Sequence, residues 1–352
     1  MSLSKPRNVL LTGGAGFIGS HLGRALLDQG HRVVALDDLS TGSERNLAPL
    51  AGHDRFRFVR GSVLDDALVG MLAKDADLIY HLAAAVGVKL IVNHPIHTIE
   101  TNILGTDIVL KNAHRFGAKT MVFSTSEVYG KANTMPLRED DDRVVGATTK
   151  SRWSYAALKA IDELLALAYH QQFGTPLVVV RLFNIIGPNQ TGQYGMVVPR
   201  FVRQALAGQP VTVYGDGSQS RCFCHVRDAV RGILLLTNCE NCVGQVLNLG
   251  SDHEITIGQL AQEVVRLSGG SSEIEHVPFE EAHGAGFEDI RRRVPCLDKI
   301  REYCGYQPEI GLEASLTDII EAARADMLTD QELAEGRERR REKLEDAQEV
   351  LE

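Results

Sequence analysis

The stretch Thr12-Gly-Gly-Ala-Gly-Phe-Ile-Gly19, preceded by Asn8-Val-Leu-Leu11 and followed by Ser20-His-Leu-Gly-Arg-Ala-Leu-Leu-Asp28, decides how this chain folds. Asn8–Leu11 reads as a buried strand, the glycine segment as a turn, and Ser20–Asp28 as an amphipathic helix that Gly30 stops. A glycine pattern alone is common. Between a strand and a helix it has a physical reading: missing side chains let the backbone approach a pyrophosphate, and the helix amino end supplies unpaired N–H groups and positive potential. Gly13, Gly16 and Gly19, with Phe17 and Ile18 between them, are the expected contacts.

Working outward, Arg32–Leu36, Phe56–Val59, Leu78–Tyr80, Thr120–Phe123 and Leu177–Arg181 read as further strands, and the segments around Ile99–Phe116 and Tyr155–Phe173 as helices. Continuously apolar strands alternating with helices predict an α/β protein, a Rossmann-type doubly wound parallel sheet covered on both faces. After Gly187-Pro188 the alternation weakens, and Val198–Leu206, Ile257–Leu267 and Leu316–Ala325 look helical. We expect a dinucleotide-binding domain over residues 1–186, with 222–252 returning to it. A smaller α/β lobe over 187–221 and 253–328 is expected to close over the carboxyl ends of the strands, followed by a charge-dense tail over 329–352. Asp37 ends the second strand, where a carboxylate accepts from an adenosine ribose diol and repels a 2'-phosphate; this favours NAD over NADP.

The bulk properties bound the rest. The chain of 352 residues is long enough for two lobes, and with 44% hydrophobic and 24% charged residues it has the composition of a folded globular protein. A formal net charge of −9 argues against a general nucleic-acid binder. No apolar run is long enough to span a membrane, and the amino-terminal segment leads straight into a strand, so a cytoplasmic protein is expected. The six cysteines, Cys222, Cys224, Cys239, Cys242, Cys296 and Cys304, lack the density of a disulfide scaffold and read as thiols. Cys239-Glu-Asn-Cys242 has zinc-ligand spacing, but Cys222 and Cys224, expected on one strand face beside His225, do not form the second C-x-x-C pair; no metal site is expected.

Two further segments carry chemistry: Ser124-Thr-Ser-Glu-Val-Tyr-Gly130 and Tyr155-Ala-Ala-Leu-Lys159. Tyr155 and Lys159 lie one helical turn apart and face the same way. The lysine charge, with an oxidised nicotinamide, is expected to favour tyrosinate and bring Tyr155 towards a pKa suited to taking a hydroxyl proton.

With these motifs the chain resembles the extended short-chain dehydrogenase/reductase superfamily, whose members modify nucleotide sugars. Arg181-Leu-Phe-Asn-Ile-Ile-Gly-Pro188 and Tyr214-Gly-Asp-Gly-Ser-Gln-Ser-Arg-Cys-Phe223 extend the resemblance over nearly all of residues 7 to 325. It implies that Thr125 hydrogen-bonds the reacting oxygen, that Tyr155 is the base and acid, and that Lys159 holds the nicotinamide ribose. It also implies a homodimer formed through the Tyr155 helix and the helix before it.

Thr125-Ser126-Glu127 looks like the triplet of UDP-glucuronic acid decarboxylases and some 4,6-dehydratases, whereas typical 4-epimerases carry a small or neutral residue at Glu127. Lys150-Ser-Arg-Trp-Ser-Tyr155 and Gly286-Phe-Glu-Asp-Ile-Arg-Arg-Arg-Val-Pro295 resemble UDP-apiose/UDP-xylose synthase and the decarboxylase domain of the lipid A aminoarabinose pathway, where an arginine of the substrate site maps to Arg293. Ala83-Ala-Ala-Val-Gly-Val88 looks closer to epimerases or dehydratases, and Ser62-Val63 stands where many relatives place an aspartate near the adenine. Arg152, Arg221 and Arg293 are candidates for phosphate or carboxylate binding, because a guanidinium fork matches either anion, and Asn184 joins them as a substrate residue.

The expected reaction is oxidation of a nucleotide sugar, a UDP-sugar by preference, at C4', followed by decarboxylation of UDP-glucuronic acid to UDP-xylose. 4-Epimerisation and 4,6-dehydration share the first step. A noncatalytic NAD-sensing protein is the alternative of another class, and the intact Thr125, Tyr155 and Lys159 argue against it.

Overall fold

The computed structural model describes residues 5–86, 94–132, 134–192, 196–279, 281 and 290–328. The expected tail over 329–352, and residues 87–88 and 286–289 of the motifs quoted above, lie outside them.

The large sheet is built from β1 (Asn8–Thr12), β2 (Arg32–Asp37), β3 (Phe56–Arg60), β4 (Leu78–His81), β5 (Lys119–Thr125), β6 (Leu177–Leu182) and β11 (Val246–Leu249). Its order is β11-β6-β5-β4-β1-β2-β3, and every pairing is parallel. Helices α1 (Phe17–Asp28), α2 (Glu44–Leu47), α3 (Asp66–Ala73), α4 (Pro95–Phe116) and α5 (Ser154–Phe173) connect the strands. Successive residues Val9, Leu10 and Leu11 are all buried, as a strand covered on both faces requires. The chain runs β1, β2, β3 to one side and returns with β4 on the other side of β1. That reversal opens a crevice beyond the carboxyl ends of the strands, where open α/β sheets bind ligands.

Helix α1 begins at Phe17, three residues before the expected start. Its N-cap Gly16 contributes no side-chain hydrogen bond, so the amino-terminal N–H groups of α1 gain no side-chain cap and stay available to a ligand. Gly19 lies in that first turn because nothing larger fits: a Cβ there would stand 2.2 Å from the Gly13 carbonyl oxygen.

The remaining elements are β7 (Ile185–Ile186), α6 (Val197–Leu206), β8 (Val211–Tyr214), β9 (Ser220–Cys222), β10 (Cys224–His225), α7 (Val226–Thr237), β12 (Glu254–Thr256), α8 (Ile257–Ser268), β13 (Ile274–Val277), β14 (Arg292–Arg293) and α9 (Asp298–Cys304), with 312–328 helical. A second core joins Val198, Phe201 and Val202 of α6 to Leu260 and Val264 of α8 and to Leu316 and Ile320. Sequence reading missed α7 and β11. Val226, Ile233 and Leu236 of α7 pack into the large-sheet core, and so do Leu297, Ile300 and Tyr306, which fall within the range expected for the smaller lobe.

The expected Cys222/Cys224 face does not form. Phe223 breaks the strand, so Cys222 ends β9, which pairs with β12 and β14, while Cys224 starts β10, which pairs with β7. All six cysteines are free thiols, and among the described residues no three His, Cys, Asp or Glu side chains converge on a metal position.

Candidate active site

One cavity of about 660 Å³ lies between the carboxyl ends of the large-sheet strands and the second lobe. Its floor at the amino end of α1 is formed by Gly13, Gly16, Phe17, Ile18 and Gly19. Gly13 has φ +72°, and a Cβ on it would stand 2.7 Å from the Ala83 nitrogen, so the turn tolerates only glycine. Asp37 borders the same end. Its Oδ2 accepts from Ala15 N–H at 2.9 Å and its Oδ1 from Leu39 N–H at 2.8 Å, which fixes the carboxylate while leaving it further lone pairs. Burial pushes its pKa above the usual carboxylate value, against the lowering effect of those two N–H groups. A glycine cradle with no room for side chains, uncapped helix N–H groups and a fixed carboxylate fit the pyrophosphate and ribose of NAD. Gly61 and Val63 line the cavity beyond Asp37, and Ser62 Oγ accepts from Leu64 N–H at 3.2 Å.

Thr125 and Tyr155 line the middle of the cavity. Thr125 ends β5 and accepts from Glu127 N–H at 3.3 Å through Oγ1, which starts the short 3₁₀ turn Ser126–Tyr129. Tyr155 sits in the first turn of α5, and Lys159, one turn on, is buried.

The lowering of the Tyr155 pKa expected from Lys159 together with an oxidised nicotinamide is not what the protein alone produces. Burial, then the Glu127 and Asp162 carboxylates, push the phenol above its ordinary value, and the Lys159 ammonium is itself paired, Nζ donating to Asp162 Oδ2 at 2.7 Å.

The position of α5 is set by a buried network. Arg181 on β6 donates from Nε to Glu163 Oε1 at 3.0 Å and from Nη2 to Oε2 at 2.8 Å, and the Ser124 hydroxyl donates to Oε1 at 2.5 Å.

Beyond Tyr155 the fold gathers residues far apart in sequence. Strand β14 pairs with β9 so that Arg293 and Arg221 are register partners, and both arginines line the cavity. Arg293 Nη1 donates to Ser126 Oγ at 3.2 Å and to Glu127 Oε1 at 2.5 Å, and its Nη2 donates to Asn184 Oδ1 at 3.3 Å. Arg152 closes the other side of Glu127, with Nη1 at 2.6 Å from Oε2. Burial opposes ionisation of Glu127, but the charges of Arg293 and Arg152, the Arg152 hydrogen bond and the charge of Arg221 overcome it and hold its pKa down to about 2. Arg221 Nη1 donates to the Ser220 carbonyl at 2.8 Å, on the lobe side. Asn184 takes a left-handed φ of +37°, an unusual conformation for a non-glycine residue and one found at functional sites.

Sequence reading missed Arg200 and quoted Tyr214 only as part of a motif, without a place in the site; both line the cavity. The Arg200 guanidinium stacks 3.8 Å from the centre of the Tyr214 ring. It also missed Asp162 as the partner of Lys159. The i,i+3 spacing of the two was visible, but their shared burial was not.

A model of the NAD dependent epimerase/dehydratase family matches residues 9–250. The chain is 43% identical over 316 residues to the UDP-N-acetyl-alpha-D-glucosaminuronate decarboxylase of Bacillus cytotoxicus, covering 90% of this chain and 97% of that one. It is 36% identical over 315 residues to UDP-glucuronic acid decarboxylase 1 of Danio rerio, covering 90% and 72%. Among solved structures, the UDP-glucuronic acid 4-epimerase of Bacillus cereus, in complex with UDP-glucuronic acid and NAD, superposes with a TM-score of 0.81 at 28% identity over 90% of this chain and 99% of that one. The chain belongs to the NAD dependent epimerase/dehydratase family. Within that family it is an NAD-dependent nucleotide-sugar enzyme.

Proposed function

We propose that this protein decarboxylates a UDP-hexuronic acid, UDP-glucuronic acid in the first place, through a 4-keto intermediate. The observation that carries this reading is the pair of guanidinium groups, Arg293 and Arg152, closing on Glu127 beside Thr125 and Tyr155. Arg221, the register partner of Arg293, lines the same cavity, so three guanidinium groups border it here. A uronic acid brings a carboxylate that a guanidinium fork matches, which a neutral hexose ring lacks. The state of Glu127 also separates the branches. A carboxylate with a pKa of about 2 is a poor base at neutral pH, which counts against its removing a C5' proton in a dehydratase.

In this reading Tyr155 takes the proton of the C4' hydroxyl. Bound NAD supplies the acceptor for the C4' hydride and returns it at the end. The resulting ketone makes the C6 carboxylate a β-keto acid; its C5'–C6 bond breaks, carbon dioxide leaves, and the electron pair stays as an enolate whose oxygen Thr125 and Tyr155 hold. A proton then adds at C5', and the product is the UDP-pentose. The 43% identity to a UDP-N-acetyl-glucosaminuronate decarboxylase supports a second reading, in which the uronic acid carries a 2-acetamido group.

The test is mass spectrometry of products from UDP-glucuronic acid and its 2-acetamido counterpart, with Arg293→Ala alongside. Loss of one carbon dioxide is expected. Arg293→Ala should weaken use of the uronic acid by about 10- to 100-fold, the worth of a charge-assisted contact, with NAD affinity unchanged. Interconversion of 4'-epimers without loss of mass would overturn the proposal in favour of epimerisation, and loss of water from a UDP-hexose in favour of dehydration.

We assign Asp37 to the adenosine ribose, so NAD should bind at least about tenfold more tightly than NADP, a difference near 1.4 kcal/mol, and Asp37→Asn should narrow the gap. Titration with both nucleotides checks this; equal or tighter NADP binding by the native protein would remove Asp37 from the role.

The proposed division is a cofactor domain over 1–186 with 222–252 and a substrate lobe over 187–221 and 253–328. Its support is the pairing of β11 with β6 and the separate core of the second lobe, while Leu297, Ile300 and Tyr306, within 253–328, pack on the large-sheet core and belong with the cofactor domain. We also propose a homodimer through α4 and α5, which pack together and leave Ile96, Ile99 and Leu104 on one and Ile161 and Leu164 on the other exposed. A monomer by sedimentation equilibrium would exclude it. Among the described residues no helix is long and apolar enough to cross a membrane, and the free thiols support a cytoplasmic site of action.

A further inference from the structure

Lys159 and Asp162 meet on α5 with side chains only 3% and 0% exposed, Nζ to Oδ2 at 2.7 Å. Opposite charges this close and this buried offset part of each other's field, while each still acts on its nearest neighbours. A neighbouring element faces the carboxylate. The Thr106 hydroxyl of α4 faces it and engages His81 Nε2 at 3.0 Å, while His81 Nδ1 meets Thr12 Oγ1 at 2.9 Å. Thr12 is fully buried. Asp162 Oδ1 is left with no hydrogen-bond partner among the described residues.

The other charged groups around the pair are accounted for. Burial, then the Lys159 charge, hold His81 down to about 3, so the imidazole is neutral. Glu163, beside Asp162, is engaged by Arg181 of β6. From the turn after β5, Glu127 faces Tyr155 and is itself held by Arg293 and Arg152.

We infer that Asp162 is a positioning residue for the Tyr155–Lys159 pair: it fixes the Lys159 ammonium and offsets its charge, so that Tyr155 ionises only when a second cation, the oxidised nicotinamide, stands beside it. The inference rests on the reading of Tyr155 as the acid and base. With that cation present Tyr155 is a base, and with it discharged Tyr155 is an acid. The proton is therefore released only when the hydride can also leave. In a site whose lysine charge were free, the phenolate would persist in both redox states.

The test uses the purified protein saturated with NAD or with NADH and needs no sugar substrate. Ultraviolet titration of phenolate, taken as the difference between native protein and Tyr155→Phe, reports Tyr155 alone. In the native protein its midpoint should be lower with NAD than with NADH, and with NADH it should stay at or above the ordinary phenol value of about 10. Asp162→Asn, which frees the lysine charge, should lower the midpoint by about one unit or more, a tenfold rise in phenolate at fixed pH, and Asp162→Glu should restore it. An unmoved or raised midpoint in a folded Asp162→Asn protein would overturn the inference. If that variant does not fold, a native midpoint well below the ordinary value with NADH bound would overturn it equally. Loss of the Asp162 effect alone leaves Tyr155 in its role, whereas undiminished turnover by Tyr155→Phe removes that role itself.

Discussion

Tyr155→Phe is expected to fold, to bind NAD as the native protein does, and to lose turnover by about 10²–10⁴-fold, the usual worth of a positioned acid–base group. The size follows from the lack of a substitute nearby. Lys159 is buried and paired with Asp162. Glu127 is held ionised at a pKa of about 2 between two arginines and is too weak a base for a sugar hydroxyl. Thr125 offers a hydroxyl that donates and accepts but does not hold a proton charge. The ring that Phe retains keeps the packing, so a loss of NAD affinity or of cooperative unfolding would point to a structural role instead. Steady-state turnover on whichever nucleotide sugar proves active, together with NAD titration, checks the expectation. Near-native turnover would mean that another base does the work.

Glu163→Ala should destabilise the protein by about 3–5 kcal/mol, the cost of leaving a buried charge without its partner. The side chains of Arg181 and Glu163 are only 7% and 6% exposed. Arg181 also donates from Nη1 to the Glu139 carbonyl at 2.9 Å and lies 4.7 Å from the centre of the Tyr129 ring, so its guanidinium cannot swing out to water without abandoning both. Removing Glu163 strands that cation and also frees the Ser124 hydroxyl. Replacing both partners by leucine should cost much less than the single change, because no uncompensated charge remains. Urea unfolding of the three proteins gives the comparison. A loss below about 1 kcal/mol for Glu163→Ala would show that water or a shifted neighbour takes over the carboxylate's role. The network ties the helix that carries Tyr155 to β5 and β6, so it links stability to the geometry of the site.

Much of the fold was legible because the signals are local. The apolar runs at Val9–Leu11 and Leu177–Val180 can be satisfied only by a sheet covered on both faces. The glycines at 13, 16 and 19 leave the chain free to turn where a side chain would collide with Gly13 or Ala83. Strand β11 escaped notice for the opposite reason: four residues of strand carry little periodicity, and what makes Val246–Leu249 a strand is the open edge of β6 waiting for it; helix α7 does carry a local signal, with Val226, Val230 and Ile233 on one face.

At the site, Tyr155 and Lys159 could be paired from their spacing, since helical geometry alone puts i and i+4 on one side. Their charge state could not. The sign of the Tyr155 shift depends on burial and on Glu127 and Asp162, and burial is a property of the packed protein. The arginine cluster shows the same limit. Arg293 and Ser126 are 167 residues apart and meet at 3.2 Å because β14 adds to β9, with Arg293 opposite Arg221. Sequence by itself determined six of the seven large-sheet strands, the pyrophosphate turn and the acid–base pair, all of which follow from contacts within a few residues. The tertiary structure decided which charges are neutralised and which carboxylate sits between which arginines, because Coulomb energies depend on distance and dielectric, and neither exists until the chain has folded.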